Sequence, residues 1–331
     1  MSDAHIRHTL DAAWDGVAPG REQCVELLRY PAASPEAAMT RAVADSVSRR
    51  RFAGQAMLLG QIGIATDECP GGCGFCVFGQ GHALFDVTAL DRAELLQRSK
   101  AFADSGQLYA LFLMTMHDFD REALLDDVAA VRAAIPAQTR LVANIGDCER
   151  EYWRDLREAG LSGAYHVLRL REGTDTSLDP AARKSTIAAL RDEGLDWYYC
   201  CEPIGPEHTP EELVEQMFFG LDHECFQHAA MRRVCQPNLP LAVHGQISEL
   251  RLAQVVAVVT LAMQASPSLR SIAVHEPNVL GLCSGANTVY AETGANPRDT
   301  AADTAGHRGL DVDSAAAMVA EAGWTELMQG A

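Results

Sequence analysis

From about residue 54 onward, short apolar runs alternate with longer stretches of helical period. The runs are GQAMLLGQIGIA (54–65), QLYALFLMT (107–115), RLVANIG (140–146), GAYHVLRL (163–170), LDWYYCCEPIG (195–205), HAAMRRV (228–234), LRSIAVH (269–275) and ANTVYAE (286–292). Between most of them lie segments such as DREALLDDVAAVRAAI, CEREYWRDLREAG, DPAARKSTIAALRDEG and SELRLAQVVAVVTLAMQA. Their apolar residues recur three and four apart, as on a helix with one buried face. The candidate strands follow one another at about 30 residues, the length that a strand and its crossover helix need. Eight such units predict an α/β fold, a (β/α)8 TIM-type barrel, with function at the C-terminal ends of its strands. An open doubly wound sheet is the rival architecture. No G-x-G-x-x-G follows the first run, which disfavours a dinucleotide fold.

The flanks differ from this rhythm. Residues 1–52 read as an N-terminal helical extension. Its clearest part is PEAAMTRAVADSVSRRRF, opened by Ser34 as N-cap and Pro35 at the first helical position. The barrel is expected over 53–295. Residues 296–331 read as a C-terminal loop and a capping helix that begins near Asp313.

Composition narrows the classes. The chain has 331 residues, 48% of them apolar, enough for a substantial core. No apolar run approaches the roughly 20 residues of a membrane span. The first residues, MSDAHIRHTLDAAWDG, lack the basic and apolar regions of a signal peptide. A soluble, cytoplasmic protein is expected. With 27 basic and 45 acidic residues the net charge is −18, which argues against a general nucleic-acid or anionic-membrane surface but allows a local basic pocket. The ten cysteines are not expected to form a disulfide framework in such a chain.

Three of those cysteines crowd into DECPGGCGFCVFGQG (67–81), directly after the first strand. Gly71, Gly72 and Gly74 would let the backbone take the tight path that aims Cys69, Cys73 and Cys76 at one point. Thiolates are soft donors that suit iron–sulfur clusters. Three of them on a 4Fe–4S cube leave one iron open for a substrate or cofactor. A zinc site would want four ligands, often as two Cys-x2-Cys pairs, and only one such pair is here. Incidental core cysteines are the remaining reading.

The spacing Cys69-x3-Cys73-x-Phe75-Cys76 resembles the signature of the radical S-adenosylmethionine (SAM) superfamily, with Phe75 at the aromatic position. From about residue 54 the chain looks most like the branch that holds biotin synthase, the hydrogenase-maturation radical enzyme and methylornithine synthase. RKSTIAALRDEGLDWYYCCEPIGPEHT resembles that branch's fourth helix, fifth strand and following loop, and LCSGANTVYAETGANP its last strand. The resemblance implies that Cys69, Cys73 and Cys76 hold a 4Fe–4S cluster whose open iron is chelated by SAM. One electron from the cluster, supplied by a reductant such as a flavodoxin or ferredoxin, would break the sulfonium bond. The resulting 5′-deoxyadenosyl radical would take a hydrogen from a small-molecule substrate.

The same resemblance suggests who holds SAM. Arg183, early in the helix after the fourth strand, matches an arginine that contacts the SAM carboxylate, a bidentate fit for a guanidinium. Glu172 lies where relatives place an acid near the ribose or amino group, with Arg169 and Arg171 as rivals at that strand end. Ile204 and Gly205, in EPIGPEHT, correspond to a turn that approaches the adenine, and Phe75 would pack near that ring. Where many members carry Gly-Gly-Glu after the second strand, this chain has Met114, Thr115 and Met116. Thr115 or main-chain carbonyls would then have to meet the SAM ammonium.

Other strand ends offer polar groups to a substrate: Asn144 and Asp147, Tyr165 and His166, Arg232 and Arg233, of which one is expected to face outward. His275 and Glu276, before Pro277, are candidates for substrate polarity or proton transfer. A second iron–sulfur cluster could draw on Cys148, Cys235 and one of Cys200 and Cys201, since neighbouring strand residues point to opposite faces. Buried free thiols explain these cysteines more simply. The leading expectation is a radical SAM enzyme for rearrangement, C–C cleavage or cofactor or natural-product biosynthesis. Sulfur insertion through a second cluster is the enzymatic alternative, and a non-catalytic iron–sulfur scaffold or electron-transfer protein the other.

Overall fold

The structure, a computed structural model, describes residues 4–82, 87–294 and 310–330. Three helices come first: α1 (Ala4–Trp14), α2 (Arg21–Arg29) and α3 (Pro35–Arg51). The strands are β1 (Gln55–Gly63), β2 (Ala65–Thr66), β3 (Thr88–Ala89), β4 (Ala110–Met114), β5 (Arg140–Asn144), β6 (Gly163–Tyr165), β7 (Asp196–Ile204), β8 (Gln227–Arg232), β9 (Ser271–His275), β10 (Thr288–Gly294) and β11 (Glu326–Leu327). Between them run α4 (Arg92–Asp104), α5 (Arg121–Ala134), α6 (Arg150–Glu158), α7 (Pro180–Asp192), α8 (Pro210–Asp222), α9 (Glu249–Ala262), α10 (Val279–Leu282) and α11 (Val312–Glu321).

Eight strands pair in parallel in the order β1-β4-β5-β6-β7-β8-β9-β10, and β10 returns to β1 with Met57 opposite Thr288 and Gly63 opposite Gly294. The sheet is therefore closed, a (β/α)8 barrel, and each of the eight apolar runs supplies one strand. Helix starts follow the sequence: Asp120, Asp179, Thr209 and Ser248 each accept a hydrogen bond from a backbone N–H of the first turn. Ser34 caps α3 in the same way, from Ala37 N at 3.2 Å.

The fourth run departs from its expected length. Only Gly163–Tyr165 is strand; residues beyond it keep single bonds to β7, His166 N to Tyr198 O at 3.2 Å and Leu170 N to Glu202 O at 2.8 Å. That loosening lets His166 and Arg169 turn toward the barrel mouth.

Alternation along β7 sorts the two layers. Trp197 and Tyr199 face α8, with ring centroids 6.0 and 5.7 Å from Phe219. Tyr198 points inward, edge-on to Phe112 at 5.1 Å, and Phe112 in turn meets Tyr290 at 5.3 Å. Such aromatic layers fill the barrel as a packed core.

Helices α2 and α3 pack on α8 and α9; Gln254 donates to Leu27 O at 2.9 Å and Arg51 to Met263 O at 2.9 Å. Strand β11 adds to β1, and Trp324 Nε1 donates to Leu282 O at 3.2 Å. Helix α11 starts one residue before the expected Asp313. The expected boundary at 295/296 and the loop preceding Leu310 lie outside the described residues. Among the described residues no helix is long and apolar enough to cross a membrane.

Candidate active site

The cysteine loop leaves β1 and is tied down on three sides by backbone bonds. Within it, Cys69 N donates to Phe78 O at 2.7 Å and Gln80 N to Cys69 O at 2.9 Å. Gly74 N donates to Asp175 O at 2.9 Å and Ser177 N to Gly71 O at 2.8 Å, so the loop after β6 clasps it. Leu241 N, from the segment after β8, donates to Gly74 O at 3.0 Å. Of the three expected glycines, Gly72 alone has positive φ, 53°, and a Cβ there would come within 2.9 Å of Ser177 Oγ. Gly71 and Gly74 serve close approach instead, against Leu178 and Leu241.

All three thiols line one cavity of about 250 Å³ at the C-terminal mouth of the barrel. Burial pushes the Cys73 thiol up to about 12, Arg169 works against that shift, and Cys76 and Cys69 add to it. Three mutually repelling thiolates favour a cationic centre that replaces their protons. Among the described residues the trio of His, Cys or carboxylate ligand atoms that lie within 4.8 Å of one another is Asp175, Glu207 and His208. The donor set, three soft thiols around a shared cavity, thus fits a 4Fe–4S group.

A buried polar network forms the cavity's wall after β5 and β6. His166 Nε2 lies 2.9 Å from Asp147 Oδ1, and Arg183 Nη1 lies 3.3 Å from the same oxygen and 3.1 Å from His166 Nε2. Burial lowers the His166 pKa to about 4 despite the Asp147 carboxylate, so the imidazole is neutral at pH 7. Burial also acts on Asp147, but His166 and Arg183 outweigh it and hold the carboxyl at about 2. Glu172 stands behind this wall. Its side chain is 1% exposed, 3.7 Å from Arg183 Nε, and accepts from Arg169 N at 2.9 Å and Thr176 Oγ1 at 2.7 Å.

Deeper in the barrel, the Tyr165 hydroxyl donates to Glu202 Oε2 at 2.5 Å, and Glu202 Oε1 lies 3.5 Å from Arg169 Nε. Burial, reinforced by Cys200 and Glu202, raises the Tyr165 pKa far enough to keep the phenol protonated. The His275 ring stacks on Tyr290 at 4.5 Å and meets the edge of Tyr165 at 5.7 Å.

The structure brings Phe75, Thr115, Arg183 and His275 to the cavity with the three cysteines. Thr115 Oγ1 donates to Met116 O at 2.9 Å. Four expected residues stand elsewhere. Glu172 does not line the cavity; it orders Arg169 and Arg183. Glu276 has φ 60° and turns away into an ion pair with Arg232. Ile204 and Gly205 lie behind the wall, where Gly205 N donates to His208 Nδ1 at 2.9 Å and the absence of a side chain makes room for Arg233 and Glu207. Arg232 and Arg233 both reach the cavity, contrary to the expected split, because β8 ends at Arg232 and strand alternation ends with it.

Cys200 packs inside the barrel near Tyr165, whereas Cys201 points to Leu213 O at 3.9 Å on the helix side. None of Cys148, Cys200 and Cys235 lines the cavity. Cavity residues without a role in the sequence reading include Gln61, His117, Glu202 and Glu292. Gln61, Glu202 and Glu292 had a signal: polar side chains inside otherwise apolar strand runs, at inward positions of the period-two pattern.

At the C-terminal mouth of a closed parallel barrel, then, a three-cysteine loop is clamped over a polar cavity. No family model matches the chain, and no curated protein matches it. Its fold recurs in solved structures. Methylornithine synthase (PylB) superposes with a TM-score of 0.81 at 15% identity, over 96% of this chain and 97% of that one. HydG, a maturase of the FeFe-hydrogenase, gives 0.74 at 12% identity, over 88% and 68%. HydG from Carboxydothermus hydrogenoformans gives 0.72 at 13% identity, over 87% and 71%. At these identities the likeness is one of fold: this chain shares its closed parallel barrel with those proteins.

Proposed function

We propose that the protein is a radical SAM enzyme acting on a small molecule, for rearrangement, C–C cleavage or a biosynthetic step. The observation that carries this reading is that Cys69, Cys73 and Cys76 face one cavity at the catalytic mouth of the barrel. When bound, a 4Fe–4S cluster with SAM on its fourth iron supplies one-electron cleavage of the sulfonium and a carbon radical that abstracts hydrogen.

The chain's own residues bind, orient and exclude water. Cys69, Cys73 and Cys76 hold the cluster. Arg183, braced by Asp147 and Glu172, offers its guanidinium to a carboxylate on the cavity side. Thr115 and the carbonyls beside it offer acceptors to an ammonium, and Phe75 offers a flat apolar face to the adenine. His275, gripped between Tyr290 and Tyr165, presents a ring whose orientation is set before any substrate arrives. An external one-electron donor such as a flavodoxin or ferredoxin completes the system.

The test is anaerobic reconstitution with iron and sulfide, reduction, addition of SAM and chromatography of 5′-deoxyadenosine. The wild-type chain should carry about four irons and form this product, and Cys73→Ala should lose both. Equal product from the two proteins would sink the reading.

A further inference from the structure

The arginines that line the cavity are matched one by one. Arg169 faces Glu202 at 3.5 Å and Arg183 faces Asp147 at 3.3 Å. Arg232 is paired with Glu276, and Arg233 with Glu207. These pairs cluster on the β6–β8 side of the mouth. Across the barrel, on β10, Glu292 also lines the cavity but has no cation opposite it among the described residues. Its Oε2 is buried and receives no hydrogen bond. Alternation along β10 turns Thr288, Tyr290 and Glu292 inward, and Glu292 stands in register with Gln61 of β1, which lines the same cavity.

A carboxylate held half out of water without a counter-charge is costly, and the cost is recovered when a ligand brings the missing cation. The cavity is thus polarised: compensated pairs on one wall, one uncompensated carboxylate on the other. We propose that Glu292 receives a cationic group of the substrate, a protonated amine or a guanidinium. Gln61 beside it adds an amide that can accept or donate but carries no charge, so the charge selection rests on Glu292. The word substrate rests on the radical SAM reading; the cation site itself does not. SAM also carries an ammonium, and the experiment separates the two sources.

Binding is measured by calorimetry on the full chain, loaded anaerobically with its cluster. SAM is titrated first. Then 1,4-diaminobutane, butylguanidinium, 1-butanol and butyrate are titrated into SAM-saturated protein. The two cations should bind the wild type more tightly than butanol or butyrate. Glu292→Gln, which keeps the shape, should weaken the cations by about tenfold or more, the loss of one charge-assisted contact. Glu292→Asp, which keeps the charge, should retain most of their binding, and SAM affinity should stay within about twofold in both variants. The proposal is overturned if the cations do not bind the wild type, or bind Glu292→Gln equally well. It is also overturned if Glu292→Gln loses SAM instead, which would assign the carboxylate to the cofactor's ammonium. A lack of 5′-deoxyadenosine would refute the enzyme reading and leave this binding result standing.

Discussion

Replacing Tyr165 by Phe removes one oxygen from the centre of the cavity wall. In the native protein that hydroxyl donates to Glu202 Oε2 at 2.5 Å, with Tyr165 7% and Glu202 4% exposed. The nearest cation to the carboxylate is Arg169, whose Nε lies 3.5 Å from the other oxygen, Oε1. Water reaches neither atom freely, so the variant leaves Oε2 desolvated and without its donor. A hydrogen bond to a charged group contributes about 1.5–3 kcal/mol, and losing the donor to a buried acceptor adds desolvation rather than relieving it. Tyr165→Phe should therefore lower unfolding stability by about 2–3 kcal/mol. Glu202→Gln keeps the shape and an acceptor but removes the charge, so the hydroxyl gains less from it. In a double-mutant cycle the pair should show a coupling of about 1–2 kcal/mol. Urea unfolding of the cluster-free chain under reducing conditions, followed by circular dichroism, measures all four corners. A Tyr165→Phe variant within about 0.5 kcal/mol of the wild type, with coupling equally small, would show that the pair does not support the wall.

Two further outcomes follow from the same wall. His166 has its folded pKa depressed to about 4, against about 6.5 unfolded, and faces Asp147, Arg183 and Arg169. The unfolded chain binds more protons between these values, so this stability is present above about pH 6.5 and lost as pH falls toward 4. By pH 5.5 the loss should reach about 1 kcal/mol for this histidine, and His166→Gln should make the urea midpoint correspondingly less sensitive to pH over that range. Gly146, after β5, has no room for a side chain, because a Cβ would press on the His117 carbonyl oxygen. That atom is backbone and cannot rotate aside, so Gly146→Ala should cost about 2 kcal/mol or more in urea unfolding.

Read alone, the amino-acid sequence specified the eight strand–helix units and the three-cysteine loop. Apolar runs repeating at the length of a βα unit specify strands and crossover helices, and eight of them suit a closed barrel, which leaves no strand edge unpaired. The caps at Ser34, Asp120, Asp179, Thr209 and Ser248 are legible because their chemistry is local to one helical turn. The Cys69, Cys73 and Cys76 spacing is equally local: three donors and their glycines lie within one loop.

What the sequence left open depends on contacts between distant segments. Glu172 reads as a loop acid, yet Arg169 and Arg183 bury its carboxylate, since only the fold brings α7 over that loop. Gly205 reads as a ligand-approach glycine, yet its space is taken by Arg233 from the end of β8. Cys200 and Cys201 were symmetric until the pleat of β7 assigned one to the barrel and the other to α8. Arg232 and Arg233 escaped that pleat because the strand stops between them. Glu292 shows the difference most plainly. Its place in an apolar run is visible in the sequence, but whether a cation faces it is a property of the assembled cavity. Pairing across a barrel depends on which strand ends meet, and closure of the sheet alone decides that.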